Sequence, residues 1–400
     1  MGKLPIFELP KYIDENAVKA KHVLAGSATP SLSIEDLIAI SSDPNATEKA
    51  LNFRSLKLGG DLRQGTPAVR NAIAGLYDKE KGVLPEHIIT AIGTTGANLT
   101  VFQALLGVGD HVICVYPTYG QLPGLPKGFP CEVSRWELDA SNGWRLDVGE
   151  LRKLIRPDTK MLVLNNPNNP TGSHIDVVMQ SQILEIAREQ NLIVVVDEIF
   201  RPLFHAVQGE KMVPSFVEHE YGKVVVTGSM SKAWGLSGVR IGWIVCRDES
   251  LFELLVNARQ YTFQSASVID EVIATEVLSD RCRPAILKRH LEYAQKNLQL
   301  LEAFVNEHSD TLSWNKPTAA STAFIRLSSN GKPMDDVEFC RAVLQEEGLL
   351  FSPGSLCFGD EGQTALRGYV RVHFTLKPEA MVKALEAWDR FLAKMRQSLK

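Results

Sequence analysis

The chain contains 400 residues, with 43 Lys and Arg against 47 Asp and Glu, and has a formal net charge of −4. A single hydrophobic core rarely grows beyond about 250–300 residues, so this length predicts two domains. The slightly negative charge, without a basic stripe, argues against nucleic acid or an anionic membrane as the main partner. No apolar run reaches the roughly 18–20 residues that a membrane-spanning helix needs, and the six scattered cysteines form no CxxC pair. We therefore expect a reduced, cytoplasmic protein without a metal site.

Short apolar, β-branched runs alternate with longer helical stretches through the middle of the chain. The runs are apolar nearly throughout, which predicts strands of a mainly parallel sheet buried on both faces; they lie at residues 88–92, 111–116, 160–165, 192–197, 223–227 and 239–246. A helix is predicted over residues 176–190, where Ile183, Ile186 and Ala187 share one face. This alternation is typical of an α/β, doubly wound fold.

The pattern changes after a helical stretch around residues 283–307, which we interpret as the connection between two domains. Beyond it, residues 323–327 and 369–374 are predicted strands, and residues 335–347 and 377–394 are predicted helices. This mixture indicates a smaller α+β domain. We therefore predict an N-terminal arm with part of the small domain over residues 1–50, a large domain over 51–290 and a small C-terminal domain over 291–400.

One lysine, Lys232, lies in a Gly- and Ser-rich segment, residues 227–243, that follows a predicted strand. Glycine allows the backbone to approach a ligand closely, while Ser and Arg side chains bind phosphate. A lysine beside a bound dianion can become a Schiff-base nucleophile. Two other interpretations stay open at this point. Ser229 and Lys232 match the SxxK pattern of serine acylases, although their SDN and KTG partner motifs are missing, and Lys232 could be a surface lysine. A dehydrogenase is disfavoured because no GxGxxG follows an early strand.

Two further segments end predicted strands on polar side chains. Residues 165–172, NNPNNPTG, follow one strand, and residues 192–198, LIVVVDE, end another on Asp197 and Glu198. Ligands of open α/β sheets bind at the carboxyl ends of the strands. A carboxylate there can keep a pyridinium nitrogen protonated, as pyridoxal chemistry requires. The alternative for Asp197 is a helix N-cap.

Together these segments resemble the class I/II aminotransferases, which are pyridoxal-phosphate enzymes of fold type I, similar to aspartate aminotransferase. The resemblance runs from about Gly26 to the C-terminus and rests on the motifs NNPNNPTG, VVVDE and SMSKAWGLSGVRIGW in that order. It implies a large domain with a mainly parallel, seven-stranded type of sheet, a smaller α+β domain, and pyridoxal 5′-phosphate as the cofactor. It also implies a homodimer.

The resemblance assigns roles to individual residues. It makes Lys232 the Schiff-base lysine and proton carrier, and Asp197 the partner of the pyridine nitrogen. It makes Tyr119 the aromatic residue that stacks on the ring, and Asn169 a donor to the phenolic O3′ that also lies beside the substrate. The remaining cofactor residues are expected to bind phosphate, three of them at a helix start after the strand 88–92; they are Gly96, Ala97, Asn98, Ser229 and Arg240.

For the substrate, the resemblance implies that Arg371 binds the α-carboxylate through its planar guanidinium. Arg367, four residues earlier, is the alternative. The stretch 24–33 is similar to an N-terminal arm that contacts substrate in some relatives, which makes Ser27 a predicted substrate contact.

Two family tyrosines are replaced in this chain. A tyrosine three residues after the ring aspartate usually bonds O3′, and Phe200 stands there; a second, which reaches the phosphate of the neighbouring subunit, is replaced by Gly60. Losing the first donor should destabilise the phenolate. Arg63 is a candidate replacement for the second contact or a substrate ligand.

The resemblance implies an aminotransferase that acts on an α-amino acid and a 2-oxo acid. The alternative is a same-fold enzyme that diverts the α-carbanion to elimination, replacement, cyclisation or racemisation of a specialised amino acid. A ligand-sensing regulator is a third possibility, but such regulators carry a preceding basic DNA-binding domain, and here the arm begins almost at once.

Overall fold

The computed structural model describes residues 4–59, 63–205, 212–359 and 365–398. Its strands in chain order are β1 (His22–Val23), β2 (Ile88–Ile92), β3 (His111–Tyr116), β4 (Glu132–Glu137), β5 (Thr159–Asn165), β6 (Ile193–Asp197), β7 (Val224–Ser229), β8 (Ile241–Cys246), β9 (Leu312–Trp314), β10 (Thr322–Ser329), β11 (Lys332–Pro333), β12 (Leu349–Leu350), β13 (Ser352–Pro353) and β14 (Tyr369–His373). Its helices are α1 (Glu8–Asn16), α2 (Ile34–Ile40), α3 (Pro44–Ala50), α4 (Pro67–Ala74), α5 (Gly93–Leu105), α6 (Gln121–Gly128), α7 (Val148–Leu154), α8 (Val177–Glu189), α9 (Glu249–Gln260), α10 (Val268–Val277), α11 (Arg283–Glu307), α12 (Asp336–Glu347), α13 (Gly354–Phe358) and α14 (Pro378–Ser398). None of the described helices is long and apolar enough to cross a membrane.

A seven-stranded sheet in the order β2-β8-β7-β6-β5-β3-β4 forms the centre of the large domain. Strand β8 runs antiparallel to both of its neighbours, while the pairs from β7 through β6, β5 and β3 to β4 are parallel. Every residue of β3, β6, β7 and β8 is buried. Helices therefore cover both faces, which explains the uninterrupted apolar runs in the sequence.

Alternate residues of one strand enter different cores. Val194 and Val196 of β6 belong to the cluster on one face, and Ile193 and Val195 belong to the cluster on the other. This follows from the two-residue period of side chains along a strand. The mainly parallel α/β fold that the sequence predicted is confirmed.

A second core is built on an antiparallel sheet in the order β11-β10-β14-β13, with β9 also paired to β10. Helices α11, α12 and α14 contribute apolar side chains to it, and Phe351 and Trp388 are fully buried there. Burying one such large side chain stabilises the fold by about 1.5–3 kcal/mol. Strand β1 pairs with β12, so the N-terminal segment joins this C-terminal part of the chain.

The predicted domain boundary at residue 290 falls inside α11. This helix runs without interruption and places Ile286 in the core of the large sheet, but Ala294 and Leu298 in the second core. A single helix thus connects the two cores, as expected for the stretch 283–307. The division into residues 1–50, 51–290 and 291–400 stays a prediction.

Candidate active site

The strands β5, β6 and β7 end at the same edge of the sheet, on Asn165, Asp197 and Ser229. A cavity of about 520 Å³ opens there, as expected for the carboxyl ends of parallel strands. Seven of the residues predicted from the sequence line this cavity: Ser27, Tyr119, Asn169, Asp197, Lys232, Arg240 and Arg371.

Lys232 follows β7 and extends into this cavity. Its Nζ donates a hydrogen bond of 2.9 Å to Ser27 Oγ. Burial, helped by the guanidinium groups of Arg371 and Arg240, lowers the pKa of Lys232 to about 8 against the opposing charge of Asp197. Near neutral pH roughly a tenth of the lysine is therefore an uncharged amine, the nucleophilic form, which is far more than for a lysine with the ordinary pKa of about 10.4.

Two of the alternatives for this segment are excluded by the contacts. Lys232 is not a surface lysine, because it lines the cavity. Ser229 Oγ accepts from the backbone N–H of Ser231 at 3.1 Å, whereas Lys232 Nζ donates to Ser27 Oγ, so the pair is not arranged as in a serine acylase.

Asp197 is almost completely buried at the end of β6. Its Oδ1 accepts from the backbone N–H of Ile199 at 3.0 Å, and its Oδ2 accepts from Asn98 Nδ2 at 3.1 Å. Burial raises the pKa of Asp197 to about 6, although these hydrogen bonds and Lys232 oppose the rise. Residues 199–202 form turns instead of an α-helix, so Asp197 is not the helix N-cap that was the alternative.

Helix α5 begins two residues earlier than the sequence suggested. We expected the helix start over residues 95–98, which include Gly96, Ala97 and Asn98, but the helix starts at Gly93, whose φ of +64° allows a sharp exit from β2. The prediction of this start was wrong because the run GTTG contains two equivalent places for a turn. Thr94 and Thr95 consequently line the cavity; Gly96, Ala97 and Asn98 do not, and Ser229 does not either.

Asn98 forms a hydrogen bond with Asp197 but does not itself line the cavity. Its Nδ2 also donates to Gln121 Oε1 at 3.2 Å, and its Oδ1 accepts from Thr227 Oγ1 at 2.8 Å. The amide is completely buried, and its orientation is fixed by these three bonds. Asn98 therefore acts on the carboxylate of Asp197; its predicted contact with phosphate stays a prediction, as do those of Gly96, Ala97 and Ser229.

The first turn of α5 and Arg240 form a cradle for an anion. The hydroxyl of Thr94 is buried and has no hydrogen-bond partner. A Cβ on Gly93 would lie 2.4 Å from Arg240 Nη2, and the φ of +64° also favours glycine here, so a larger residue would strain the backbone and displace the guanidinium. Ser231 and Ser237 line the cavity beside Arg240. A helix N-terminus, a guanidinium and the unpartnered Thr94 hydroxyl together suit a phosphate dianion.

Arg371 lies on β14 and is fully buried. Its Nη1 donates to Asn169 Oδ1 at 3.1 Å, and its Nη2 donates to the carbonyl of Ala25. Its Nε is buried without a partner, and no carboxylate among the described residues forms an ion pair with this guanidinium. Arg367 is exposed instead and pairs with Asp335. Of the two candidates, Arg371 is therefore the one that can bind a substrate carboxylate.

One wall of the cavity, which we call the roof, is formed by α1 and was not predicted from the sequence. Leu9 and Ile13 of α1 line it, and the ring of Phe7 contacts the ring of Tyr119 edge to face with centroids 5.0 Å apart. His373 also lines the cavity; burial and the nearby cations lower its pKa to about 3, so it is uncharged. Nothing local marks α1 for this position, because the contact depends on tertiary packing.

Of the two positions where a family tyrosine is replaced, the structure describes only position 200. Phe200 is buried and lines the cavity. Because its side chain is a phenyl ring, it offers no hydroxyl donor there. Gly60 lies outside the described residues. Arg63 is described, exposed, and absent from the lining of this cavity; its predicted role stays a prediction.

The chain is similar to known proteins over nearly its whole length. Residues 39–387 match the family described as Aminotransferase class I and II. A solved structure of a PLP-dependent aminotransferase from Streptococcus suis is 35% identical, covers 98% of both chains and superposes with a TM-score of 0.87.

Two curated relatives that match this chain about equally well carry the names of different enzymes. Capreomycidine synthase of Streptomyces vinaceus is 26% identical over 356 residues, which are 88% of this chain and 86% of that protein. Aspartate/prephenate aminotransferase of Thermus thermophilus is 26% identical over 332 residues, 82% of each. Family, structure and cavity agree: the chain belongs to the class I and II aminotransferases, the pyridoxal-phosphate-dependent enzymes of fold type I.

Proposed function

We propose that this enzyme transfers the amino group of an α-amino acid to a 2-oxo acid. The observation that carries the proposal is the buried Arg371 guanidinium without a carboxylate partner, in the same cavity as Lys232 and Asp197. A buried cation of this kind is costly unless an anion pairs with it. The α-carboxylate of an amino acid supplies that anion and brings the amino group into the cavity that Lys232 lines.

The residues present fit pyridoxal phosphate. The unpartnered Thr94 hydroxyl and the Arg240 guanidinium suit its phosphate, and the buried carboxylate of Asp197 suits its pyridine nitrogen. When bound, the cofactor supplies an electron sink for negative charge at the substrate Cα. Asn169 has its Oδ1 engaged by Arg371, which leaves its Nδ2 to donate to the phenolic oxygen. Tyr119 is the proposed stacking residue.

Lys232 would hold the cofactor covalently and, once released from it, would act on the substrate. Arg371 fixes the carboxylate, which leaves the Cα–H bond to be aimed at the Lys232 amine. With its pKa lowered to about 8, Lys232 can accept the Cα proton and return it near neutral pH. The apolar side chains of Leu9 and Ile13 would limit the access of water to the cavity from the side of α1.

A second candidate is the diversion of the carbanion to cyclisation, elimination, replacement or racemisation. One observation favours it: Phe200 gives the cavity wall no phenol where the family usually has one, and such a change alters how the cofactor distributes charge. The similarity to capreomycidine synthase supports this candidate to the same extent as the similarity to aspartate/prephenate aminotransferase supports the first.

We also propose a cytoplasmic homodimer. The six cysteines are free and buried, in keeping with a reducing compartment. Leu58 and Tyr261 are large apolar or aromatic side chains that are 72% and 79% exposed, and a second subunit would cover such side chains. Analytical ultracentrifugation of the purified protein tests the dimer; a monomer at micromolar concentration would refute it.

The reaction is tested by adding single amino acids to the cofactor-loaded enzyme without an oxo acid. Aminotransfer predicts one equivalent of 2-oxo acid per active site and a spectrum of the aminated cofactor. The diverted chemistry predicts a leaving group or a cyclised product, with the cofactor spectrum restored after each turnover. Both proposals fail if Lys232→Ala retains the same absorbance change, because neither can then depend on this lysine.

A further inference from the structure

Residues 24–30, which we call the clasp loop, connect the strand of Arg371 to Lys232. On one side the loop follows β14: the backbone N–H of His373 donates to the carbonyl of Leu24 at 2.8 Å, and Arg371 donates to the carbonyl of Ala25. A Cβ on Gly26 would lie 3.1 Å from the ring of His373, so the loop lies directly on that ring.

On its other side the same loop holds both ends of Lys232. The backbone N–H and the hydroxyl of Thr29 donate to the Lys232 carbonyl at 3.3 and 2.8 Å. Ser27 Oγ accepts from Lys232 Nζ at 2.9 Å. The packing is tight, because a Cβ on Gly235 would lie 2.8 Å from the carbonyl of Pro30. Ser27 itself is fixed through its carbonyl, which accepts from Ser321 Oγ at 2.6 Å.

The contact with Ser27 restricts what the amine can do. A lysine has a flexible four-carbon stem, and an uncharged amine carries two N–H groups and one lone pair. Once one N–H is directed at Ser27 Oγ, rotation about the Cε–Nζ bond is restricted, and so is the direction of the lone pair. The sequence suggested only that Ser27 touches the substrate.

We propose that Ser27 is a positioning residue whose hydroxyl orients the Lys232 amine, both for capture of the cofactor and for transfer of the Cα proton. The inference rests on the proposed function for the second of these steps and not for the first. An error of about 1 Å in the position of a catalytic group can lower a rate about 100-fold. We therefore expect Ser27→Ala to slow exchange of the substrate Cα proton by roughly 10–100-fold.

The test compares Ser27→Ala, Ser27→Thr and the control Ser181→Ala, which removes the same atom from an exposed serine of α8. Proton NMR in heavy water measures Cα-proton exchange of the amino acid with cofactor-loaded enzyme. Stopped-flow absorbance measures capture of pyridoxal phosphate by the cofactor-free protein. Ser27→Ala should lower kcat for exchange and slow capture, while KM, the equilibrium affinity for the cofactor and the unfolding midpoint remain close to those of wild type. Ser27→Thr, which keeps the hydroxyl, should recover most of both rates, and Ser181→Ala should match wild type.

Three results would overturn the inference: wild-type rates in Ser27→Ala, no recovery in Ser27→Thr, or a loss confined to KM, which would make Ser27 a substrate contact. If wild type exchanges no Cα proton with any amino acid, the proposed function fails and the capture rate alone decides. Slower capture by Ser27→Ala then still supports positioning of the amine, and unchanged capture refutes it.

Discussion

Replacing Arg371 with methionine separates carboxylate binding from the rest of the site. Two charge-assisted hydrogen bonds from the guanidinium to the substrate carboxylate contribute about 1.5–2 kcal/mol each, within the usual range for bonds to charged groups. Their loss of about 3–4 kcal/mol corresponds to a decrease of roughly 10²–10³ in kcat/KM, at about 1.4 kcal/mol per factor of ten. We expect the free energy of unfolding of the substrate-free protein to change by less than about 2 kcal/mol, because the hydrogen bonds lost to Asn169 and Ala25 oppose the relief of a buried, unpaired charge.

The assay uses two substrates that differ only in the carboxylate. The first half-reaction is measured with an α-amino acid and with the corresponding amine, in wild type, in Arg371→Met and in Arg367→Met. The last variant is the matched control, since Arg367 pairs with Asp335 on the surface. We expect Arg371→Met to lose the preference for the acid while its rate with the amine stays near that of wild type. An equal loss with both substrates would refute the assignment of Arg371 to the carboxylate.

Three further predictions concern the cofactor. In the folded protein the pKa of Lys232 is lowered from 10.5 to about 8, so the rate of cofactor capture by the cofactor-free protein should rise with pH through about 8. Between about pH 8 and 10.5 the unfolded chain holds a proton on this lysine that the folded chain has lost, so the contribution of Lys232 to the free energy of unfolding increases with pH. Lys232→Met should remove both contributions, measured by stopped-flow absorbance and by denaturation. Gly93→Ala should weaken cofactor binding at least tenfold by equilibrium dialysis, because its Cβ would lie 2.4 Å from Arg240 Nη2 and φ is +64°; unchanged affinity would contradict the proposed anion cradle. Asn98→Leu removes a hydrogen bond that lowers the pKa of Asp197, so the acid limb of the pH profile for cofactor capture by the cofactor-free protein, expected near pH 6, should move to higher pH; a shift to lower pH would show that the limb belongs to another group.

The sequence predicts the strands of the large sheet well where both faces are buried. The bounds of β2 and β3 agree with the predicted runs, and β5 to β7 agree within one or two residues at each end. Strand β4 was not predicted, because it lies at the edge of the sheet and mixes Glu132, Arg135 and Glu137 with apolar residues. An edge strand has one neighbour and does not need an unbroken apolar run.

The same distinction applies to the site. Asp197 ends a strand and Asn169 and Lys232 lie shortly after two others, so their motifs place them at one edge of the sheet, and they line the cavity there. The roof formed by α1 depends on tertiary packing alone. The hydroxyl of Thr94 was missed because local sequence does not decide between the two possible starts of α5.

In the proposed complex, Asn169 would link recognition of the substrate to the charge of the cofactor. Its Oδ1 accepts from Arg371 Nη1 at 3.1 Å, and this bond sets which end of the amide faces the cavity. In a site where Phe200 offers no hydroxyl, the Asn169 Nδ2 is the proposed donor to the phenolic oxygen. A carboxylate that binds Arg371 competes with Asn169 for the guanidinium and so changes how firmly that amide is held. Binding of substrate would thereby alter the proton affinity of the bound cofactor through a single side chain. A tyrosine at position 200 would weaken this coupling, because it would add a second donor to the phenolic oxygen that does not depend on Arg371.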